Sequence, residues 1–376
     1  MFDVLVQYYS LTGDDEYNDI VSQALLFQQG ETGDYMPRNQ TRYMGNDDQS
    51  TWALAALSAA EAKFPGESKP TWLDLAVAVF ESQVQRWDDT VCGGGLRWQI
   101  FIFNNGYNYK NAISNGQFFQ LASRLAHYTG NTTFSDWATK SYDWTKKVGL
   151  IDDDWSVYEG TDTGDECDAI NHNQVTYVAG TYITGAAAMY NITTGDAQKT
   201  WKVVLDGLLG KSLEVFFRDG IATEACESSG RCNVDQRGFK GLLAHQLVDA
   251  VKVAPYISET IRPLLISSAK AAANSCDATG DNCVLSWNAT AVRSNSTGVG
   301  EQYNALSYVQ ALLFWDPEAS ASTGNATSPT ASGTEGPSAT GSGSTASVTP
   351  TGSGSVLGAG NAVVALGGVL ALMLAL

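Results

Sequence analysis

A helical segment of the same character recurs along residues 1–317, with starts near residues 49, 112, 173, 236 and 299, so that successive copies lie 61 to 63 residues apart. A fixed period of this length marks a chain built by stacking one supersecondary unit. Each copy carries a glutamine near its start (Gln49, Gln117, Gln174, Gln236, Gln302) and continues with apolar residues mixed with Ala, Gly and Ser, as in STWALAALSAAEA and VTYVAGTYITGAAAMY. Small residues on nearly every face suit helices that pack on both sides. Between the copies, near 15–29, 73–88, 132–147, 196–213 and 256–274, apolar residues fall at helical spacing with polar faces opposite. Thr12-Gly13-Asp14, Thr129-Gly130-Asn131 and Thr194-Gly195-Asp196 each place a glycine where one helix should stop and a capping residue where the next should begin. The unit is a helical hairpin. Five copies plus an opening helix at Phe2–Tyr9 predict an all-α fold, six hairpins closed into an (α/α)6 barrel over residues 1–317. An open solenoid is the alternative, although nothing in a solenoid stops at six units. The count gives six inner but five outer helices, and Met1-Phe2-Asp3-Val4 opens without a signal-peptide pattern. Both observations predict about 50–70 further residues upstream, carrying the absent outer helix and a signal peptide.

Composition changes abruptly after Pro317. Residues 318–355 are dominated by Ser, Thr, Gly, Ala and Pro and cannot bury a core, which predicts an extended stalk. Residues 356–376 carry no charge and end the chain after the small residues Gly352-Ser353-Gly354-Ser355. That order of small site, spacer and apolar tail is the arrangement of a GPI-attachment signal, with a tail-anchored helix as the alternative. Six cysteines without zinc spacing predict disulfides: Cys226 with Cys232 and Cys276 with Cys283 across short loops, leaving Cys92 for Cys167 by elimination. Acceptor patterns for N-glycosylation fall at Asn39, Asn131, Asn191, Asn288, Asn295 and Asn325. Together these features predict secretion to the outer face of the plasma membrane or the cell wall. A net charge of −18 argues against nucleic-acid partners, whose binding needs basic side chains to displace phosphate counterions.

In a ring of helical hairpins the inner helices all begin at one end, so the residues at their starts converge on one cleft. Those starts read Gly45-Asn46-Asp47-Asp48-Gln49, Lys110-Asn111 to Asn115-Gly116-Gln117, Asn171-His172-Asn173-Gln174, Asp235-Gln236-Arg237 and Gly298 to Gln302. Amides, carboxylates and a lysine beside Trp and Tyr match the hydroxyls and flat faces of a sugar. The candidate sugar contacts are Trp98, Lys110, Asn111, Asn115, Gln174, Tyr177, Lys240 and Gln302. Asp47 and Asp48 are the candidate catalytic pair. Cleaving a glycosidic bond takes two carboxyl groups, and a gap of about 5–5.5 Å between them makes one a nucleophile. Consecutive residues, with Cα atoms about 3.8 Å apart, reach that short gap more readily than the wider one an inverting enzyme needs. The plain alternative is helix capping by Asn46, with the two acids compensating the helix dipole. Three histidines without a Gly-x-Ser-x-Gly turn give little support to a serine hydrolase; a hydrogen-bonding or structural role suits His172 as well as a functional one. Gly210-Lys211-Ser212 fails the phosphate-loop pattern because Leu205 stands where a glycine is required. Gly93-Gly94-Gly95 reads as a tight turn or a close approach of backbone to ligand. No cofactor and no metal is expected.

The motifs Gly45-Asn-Asp-Asp-Gln49, Cys92-Gly-Gly-Gly-Leu-Arg-Trp98, Tyr109-Lys-Asn-Ala-Ile-Ser-Asn-Gly116, Asp235-Gln-Arg-Gly-Phe-Lys240 and Ser296-Thr-Gly-Val-Gly-Glu-Gln302 resemble the fungal GPI-anchored members of glycoside hydrolase family 76, the endo-α-1,6-mannosidases. The resemblance runs from about Phe2 to Trp315 and departs at the N-terminus, where family members continue through another helix and a signal peptide. It implies an (α/α)6 barrel and a retaining mechanism, with Asp47 as nucleophile and Asp48 as general acid/base. It also implies action on α-1,6-linked mannan or GPI-glycan mannose in wall assembly, with wall glucan as a conceivable acceptor, by a monomer tethered to the membrane through its GPI anchor. A non-catalytic mannan-binding wall protein is the alternative, disfavoured because a binding cleft gains nothing from two crowded charges.

Overall fold

Helices alternate between an inner and an outer position along the whole described chain, which in the computed structural model comprises residues 1–66, 69–288 and 296–316. The inner set is α1 (Phe2–Thr12), α3 (Asn46–Glu61), α5 (Ala112–Thr129), α7 (Thr176–Ile192), α9 (Phe239–Val253) and α11 (Val299–Ala311). The outer set is α2 (Asn18–Phe27), α4 (Trp72–Arg86), α6 (Thr132–Val148), α8 (Gly195–Phe216) and α10 (Ser258–Ala273). The repeat therefore has the expected register, six inner and five outer helices among the described residues. The predicted stalk and GPI signal lie outside the described residues, as do Asn295 and Asn325.

Local signals account for the helix ends. The Asn131 side chain caps α6 by accepting the Thr133 N–H at 3.0 Å. Gly130, at φ 72°, closes α5 in the left-handed conformation, with its N–H returned to Ala126 O at 2.9 Å. Burial then separates the two sets. Every residue of α5 from Ala112 to Ala126 is buried, whereas α6 buries only Phe134, Ala138, Ser141, Tyr142, Trp144 and Thr145.

Neighbouring inner helices touch through glycine. A Cβ on Gly116 of α5 would stand 2.6 Å from the Tyr182 ring of α7, and one on Gly185 of α7 would stand 2.4 Å from the Phe119 ring of α5. Gly180 of α7 meets Gln246 of α9 in the same way, and Gly241 of α9 meets Tyr303 of α11. The ring closes where α1 meets α9 and α11. Gln310 Nε2 donates to Val4 O at 3.0 Å, Gln7 Nε2 donates to Asp249 Oδ1 at 3.0 Å, and His245 Nε2 lies 3.0 Å from Asp3 Oδ2. Burial pulls the His245 imidazole down, but Asp3 and Asp249 outweigh it and leave its pKa raised.

Strands, absent from the sequence expectation, sit at the barrel mouth. β1 (Tyr109–Asn111) pairs antiparallel with β2 (Gly160–Asp162), which pairs antiparallel with β3 (Ile170–Asn171); β4 (Phe217–Arg218) and β5 (Ile221–Ala222) form a separate hairpin. The three disulfides join Cys92 to Cys167, Cys226 to Cys232 and Cys276 to Cys283, as the spacing and elimination predicted. Asn39, Asn131 and Asn191 are exposed. Asn288 departs from the glycosylation expectation: it is 7% exposed and its amide donates to Arg218 O at 3.0 Å, so the fold closes it to a glycan.

The glycine contacts yield a paired prediction. Gly185→Val forces the Phe119 ring to move and should lower unfolding free energy by about 1–3 kcal/mol, as for other overpacked cores. Gly210 of α8 has nothing within 4 Å of an added Cβ. Gly210→Ala should therefore stabilise by about 0.5–1 kcal/mol through helix propensity. Denaturant titration of both variants reads the difference.

Candidate active site

Gly45, not Asn46, is the N-cap of α3. Asn46 is instead the first helical residue, and its side chain is drawn sideways: it donates to Arg97 O at 2.8 Å and accepts from Arg86 Nε at 2.8 Å. Asp47 and Asp48 are then the second and third residues of the helix, on its first turn. Asp48 is exposed, and its Oδ2 accepts the Gly45 N–H at 2.7 Å, the return arm of a capping box. Capping therefore engages one oxygen of Asp48, and the residue remains exposed.

Asp47 has the opposite environment. It is half-buried, the Trp98 side chain hydrogen-bonds to it, and its Oδ1 is buried without a hydrogen-bond partner. Burial, reinforced by the adjacent Asp48 charge, pushes its pKa up to about 7 against the opposing pull of backbone N–H groups and Trp98. Gly45 makes room for this carboxyl, since a Cβ there would stand 2.2 Å from Asp47 Oδ1.

From the Asp pair a hydrogen-bonded rim runs along the mouth. Asn46 N–H donates to Trp98 O at 2.8 Å, and Trp98 N–H donates to Tyr109 O at 2.7 Å. Tyr109 stands opposite Asp162 in the β1–β2 pair, and Glu159 N–H donates to Asn171 O at 3.1 Å. Tyr177, half-buried at the start of α7 and packed 4.1 Å from the Phe239 ring, faces the same space. Burial raises its hydroxyl pKa far above the usual value, and Asp47, Glu159, Glu224 and Asp235 raise it further. Glu224 lies beneath, fully buried, accepting the Thr176 N–H at 3.1 Å, and burial pushes it up to about 7.

The sugar-contact candidates divide in two. Trp98, Gln174 and Tyr177 stand at the mouth with part of their surface open. Lys110, Asn111, Asn115 and Lys240 are spent inside the fold, which corrects their assignment as sugar contacts, and the half-buried Gln302 has both ends of its amide bonded within the protein. Lys110 Nζ is fully buried and donates to Asp88 O at 2.9 Å, Val91 O at 2.9 Å and Gly94 O at 2.5 Å. It holds the glycine-rich loop from within, and Gly94 and Gly95 pack on the Trp87 and Trp144 rings rather than on a ligand. Lys240, also fully buried, pairs with Glu227 Oε1 at 2.9 Å, donates to Leu285 O at 2.7 Å and lies 3.7 Å from the Trp287 ring centre. Asn111 caps α5 at Ser114 N, and Asn115 bridges Leu96 N and O. Gln302 bonds Cys283 N and Gly280 O. His172 packs edgewise on Tyr158, with ring centres 4.4 Å apart.

Sequence reasoning missed Glu159, Tyr109 as a side chain, and the buried pair Glu224 and Glu227. Tyr109 and Asn171 lay inside motifs already singled out, whereas Glu159 falls in a segment without helical period. The Asp47 environment generates a stability prediction. Between pH 4 and 7 the folded protein holds a proton on Asp47 that the unfolded chain releases, so this group's contribution falls as pH rises through that range. Asp47→Asn should raise the melting temperature at pH 8 relative to the parent and leave it unchanged at pH 4. A lowered melting temperature at pH 8 would show that the Asp47 anion is favoured in the fold.

Comparisons with known proteins agree with this geometry. The description of glycosyl hydrolase family 76 matches residues 1–325. The mannan endo-1,6-alpha-mannosidase DFG5 of Saccharomyces cerevisiae is 41% identical over 322 residues, covering 84% of this chain and 70% of its own. The mannan endo-1,6-alpha-mannosidase DCW1 of the same yeast is 43% identical over 310 residues, covering 80% and 68%. The crystal structure of Dfg5 from Chaetomium thermophilum in complex with glucosamine superposes with a TM-score of 0.79 at 40% identity, over 84% of this chain and 79% of that one. An inactive variant of the α-1,6-mannanase GH76A of Salegentibacter sp., in complex with α-1,6-mannotriose, shares the fold at a TM-score of 0.63 and 22% identity, over 83% and 88%. The ring of six inner helices, the paired aspartates at an inner helix start and these likenesses lead to one conclusion: the chain belongs to glycosyl hydrolase family 76.

Proposed function

We propose that the chain is a retaining endo-α-1,6-mannosidase or mannosyl transglycosylase acting on α-1,6-linked mannan or GPI-glycan mannose in fungal wall assembly. The observation that carries this reading is the contrast within the Asp pair at the start of α3, one carboxyl half-buried with its pKa raised by burial and by its neighbour, the other exposed. The mannosidase names of the relatives support the substrate class. Secretion, GPI anchoring at the plasma membrane or wall, a monomeric state and a wall-glucan acceptor belong to the same proposal, supported by the sequence alone.

In this mechanism Asp48 protonates the glycosidic oxygen while the Asp47 carboxylate attacks the anomeric carbon, and the leaving chain departs with the proton. The mannosyl ester on Asp47 is then opened by a water or a sugar hydroxyl that gives its proton to Asp48. Water yields hydrolysis and a sugar yields transfer, from one site. Asp48, tied through one oxygen to Gly45, keeps the other for the proton it donates and recovers.

The raised pKa of Asp47 makes the assignment testable. A nucleophile must be ionised, so kcat/KM on an α-1,6-mannooligosaccharide should rise as pH passes upward through about 7. A fall in kcat/KM above that pH would make Asp47 the proton donor and exchange the roles. Asp47→Asn and Asp48→Asn should each abolish turnover. Azide should give a product of inverted configuration with Asp47→Ala and of retained configuration with Asp48→Ala, and full activity in either variant would remove that residue from the mechanism.

A further inference from the structure

Glu159 is a carboxylate at the mouth for which the catalytic steps have no use. It is half-buried, and no ammonium or guanidinium pairs with it among the described residues. Its Oε2 accepts twice, from the Tyr109 hydroxyl and from Asn171 Nδ2 at 2.7 Å, while Asn171 Nδ2 also lies 3.3 Å from the Tyr109 hydroxyl. Its Oε1 takes no hydrogen bond among the described residues. The three residues come from three places brought together by the small sheet: Tyr109 begins β1, Glu159 precedes β2 and Asn171 ends β3.

The position is built. A Cβ on Gly160 would stand 2.6 Å from the Tyr109 ring, so the ring crosses to Glu159 over a residue without a side chain. Glu159 O accepts the Ala112 N–H at 2.9 Å, which ties the cluster to the start of α5. The backbone rim from Asn46 through Trp98 and Tyr109 carries the cluster along the same mouth as the Asp pair, and Asp47 and Glu159 both raise the Tyr177 hydroxyl between them. With both donors committed to Oε2, the cluster offers acceptors outward, and a pyranose offers hydroxyl donors. Hydroxyl-to-carboxylate bonds are charge-assisted and directional.

Resting on the mannoside reading above, we propose that Glu159, oriented by Tyr109 and Asn171, fixes the mannose ring bound beside Asp47 by accepting hydrogen bonds from its hydroxyl groups. It is a substrate-orienting residue that takes no part in proton transfer. The small sheet at the mouth is then the element that holds the sugar, while the helix start holds the reacting groups.

The test uses the full chain in two backgrounds, active and Asp47→Asn/Asp48→Asn, with α-1,6-mannotetraose as the probe in calorimetry. In the inactive background Glu159→Gln should weaken binding roughly 10- to 100-fold, the scale of losing hydrogen bonds to a charged acceptor. In the active background it should raise KM by a similar factor, with kcat within about threefold and the melting temperature unchanged. Unaltered affinity in Glu159→Gln overturns the assignment and leaves the mannosidase reading standing. Absence of binding by the inactive parent itself overturns that reading and this inference with it. Should Glu159→Gln lower the melting temperature, Tyr109→Phe decides, since it keeps the carboxylate but frees it to turn. Weaker binding by a fully stable Tyr109→Phe supports the orienting role, and unchanged binding reduces the cluster to a brace of the sheet.

Discussion

Close approach between inner helices is the constraint on which the rest of the molecule depends. Gly116, Gly180, Gly185 and Gly241 sit where helix α5 meets α7, α7 meets α9 and α9 meets α11, and each is filled by a side chain of the neighbouring helix. A bulkier residue at any of them would widen the ring. Because the ring is tight, the helix starts are drawn toward one mouth, and the first turn of α3 faces Tyr177 at the start of α7. The far end is closed by polar contacts rather than glycine, through Gln7, His245, Asp249 and Gln310. Tightness at the packing level thus becomes convergence at the chemical level.

At that mouth two electrostatic effects oppose each other on Asp47. A helix N-terminus favours an anion by about 0.3–1 kcal/mol. Displacement of the carboxyl from 3.8 to about 7 corresponds to roughly 4 kcal/mol in the other direction. Burial wins. Asp48, one residue on, is exposed and hydrogen-bonded to the Gly45 N–H. Two residues of the same type on one turn are differentiated by which way the helix surface carries them, toward the Trp98 loop or toward open cleft. The sequence alone showed a pair that either capped or catalysed; in the fold the capping bond to the Gly45 N–H takes one oxygen of Asp48, so on the proposed mechanism the two uses share one residue.

Legibility followed periodicity. The inner and outer helices, and the Asp pair on one of them, were readable because a helix repeats its contacts every turn and the hairpin repeats every 61 to 63 residues. The disulfides were readable because short loops leave few pairings. Lys110 and Lys240 were misread for a physical reason: a charged residue at a helix start looks available until the loops that bury it are placed. Those loops, carrying the carbonyls of Val91, Gly94 and Leu285, have no period to betray where they go. Glu159 was missed for the same reason, since its partners Tyr109 and Asn171 lie 50 and 12 residues away and meet it through strand pairing. Asn288 shows the limit of a motif, its acceptor pattern intact and its side chain buried.

The division between helix and loop has a consequence for how such a cleft changes. The paired aspartates on α3 are fixed by the ring, and moving them would mean repacking glycine contacts several helices away. The rim of β1, β2 and β3 is tied to the ring at a few points, among them Asn46 N–H to Trp98 O, Trp98 N–H to Tyr109 O and Ala112 N–H to Glu159 O. Lys110 and the Cys92–Cys167 disulfide anchor the same loops from below. A rim held at its base but free at its edge can exchange side chains without disturbing the Asp pair. If the Asp pair cleaves the bond and the rim orients the sugar, as proposed, cleavage is set by the part of the molecule that is hardest to alter and choice of sugar by the part that is easiest.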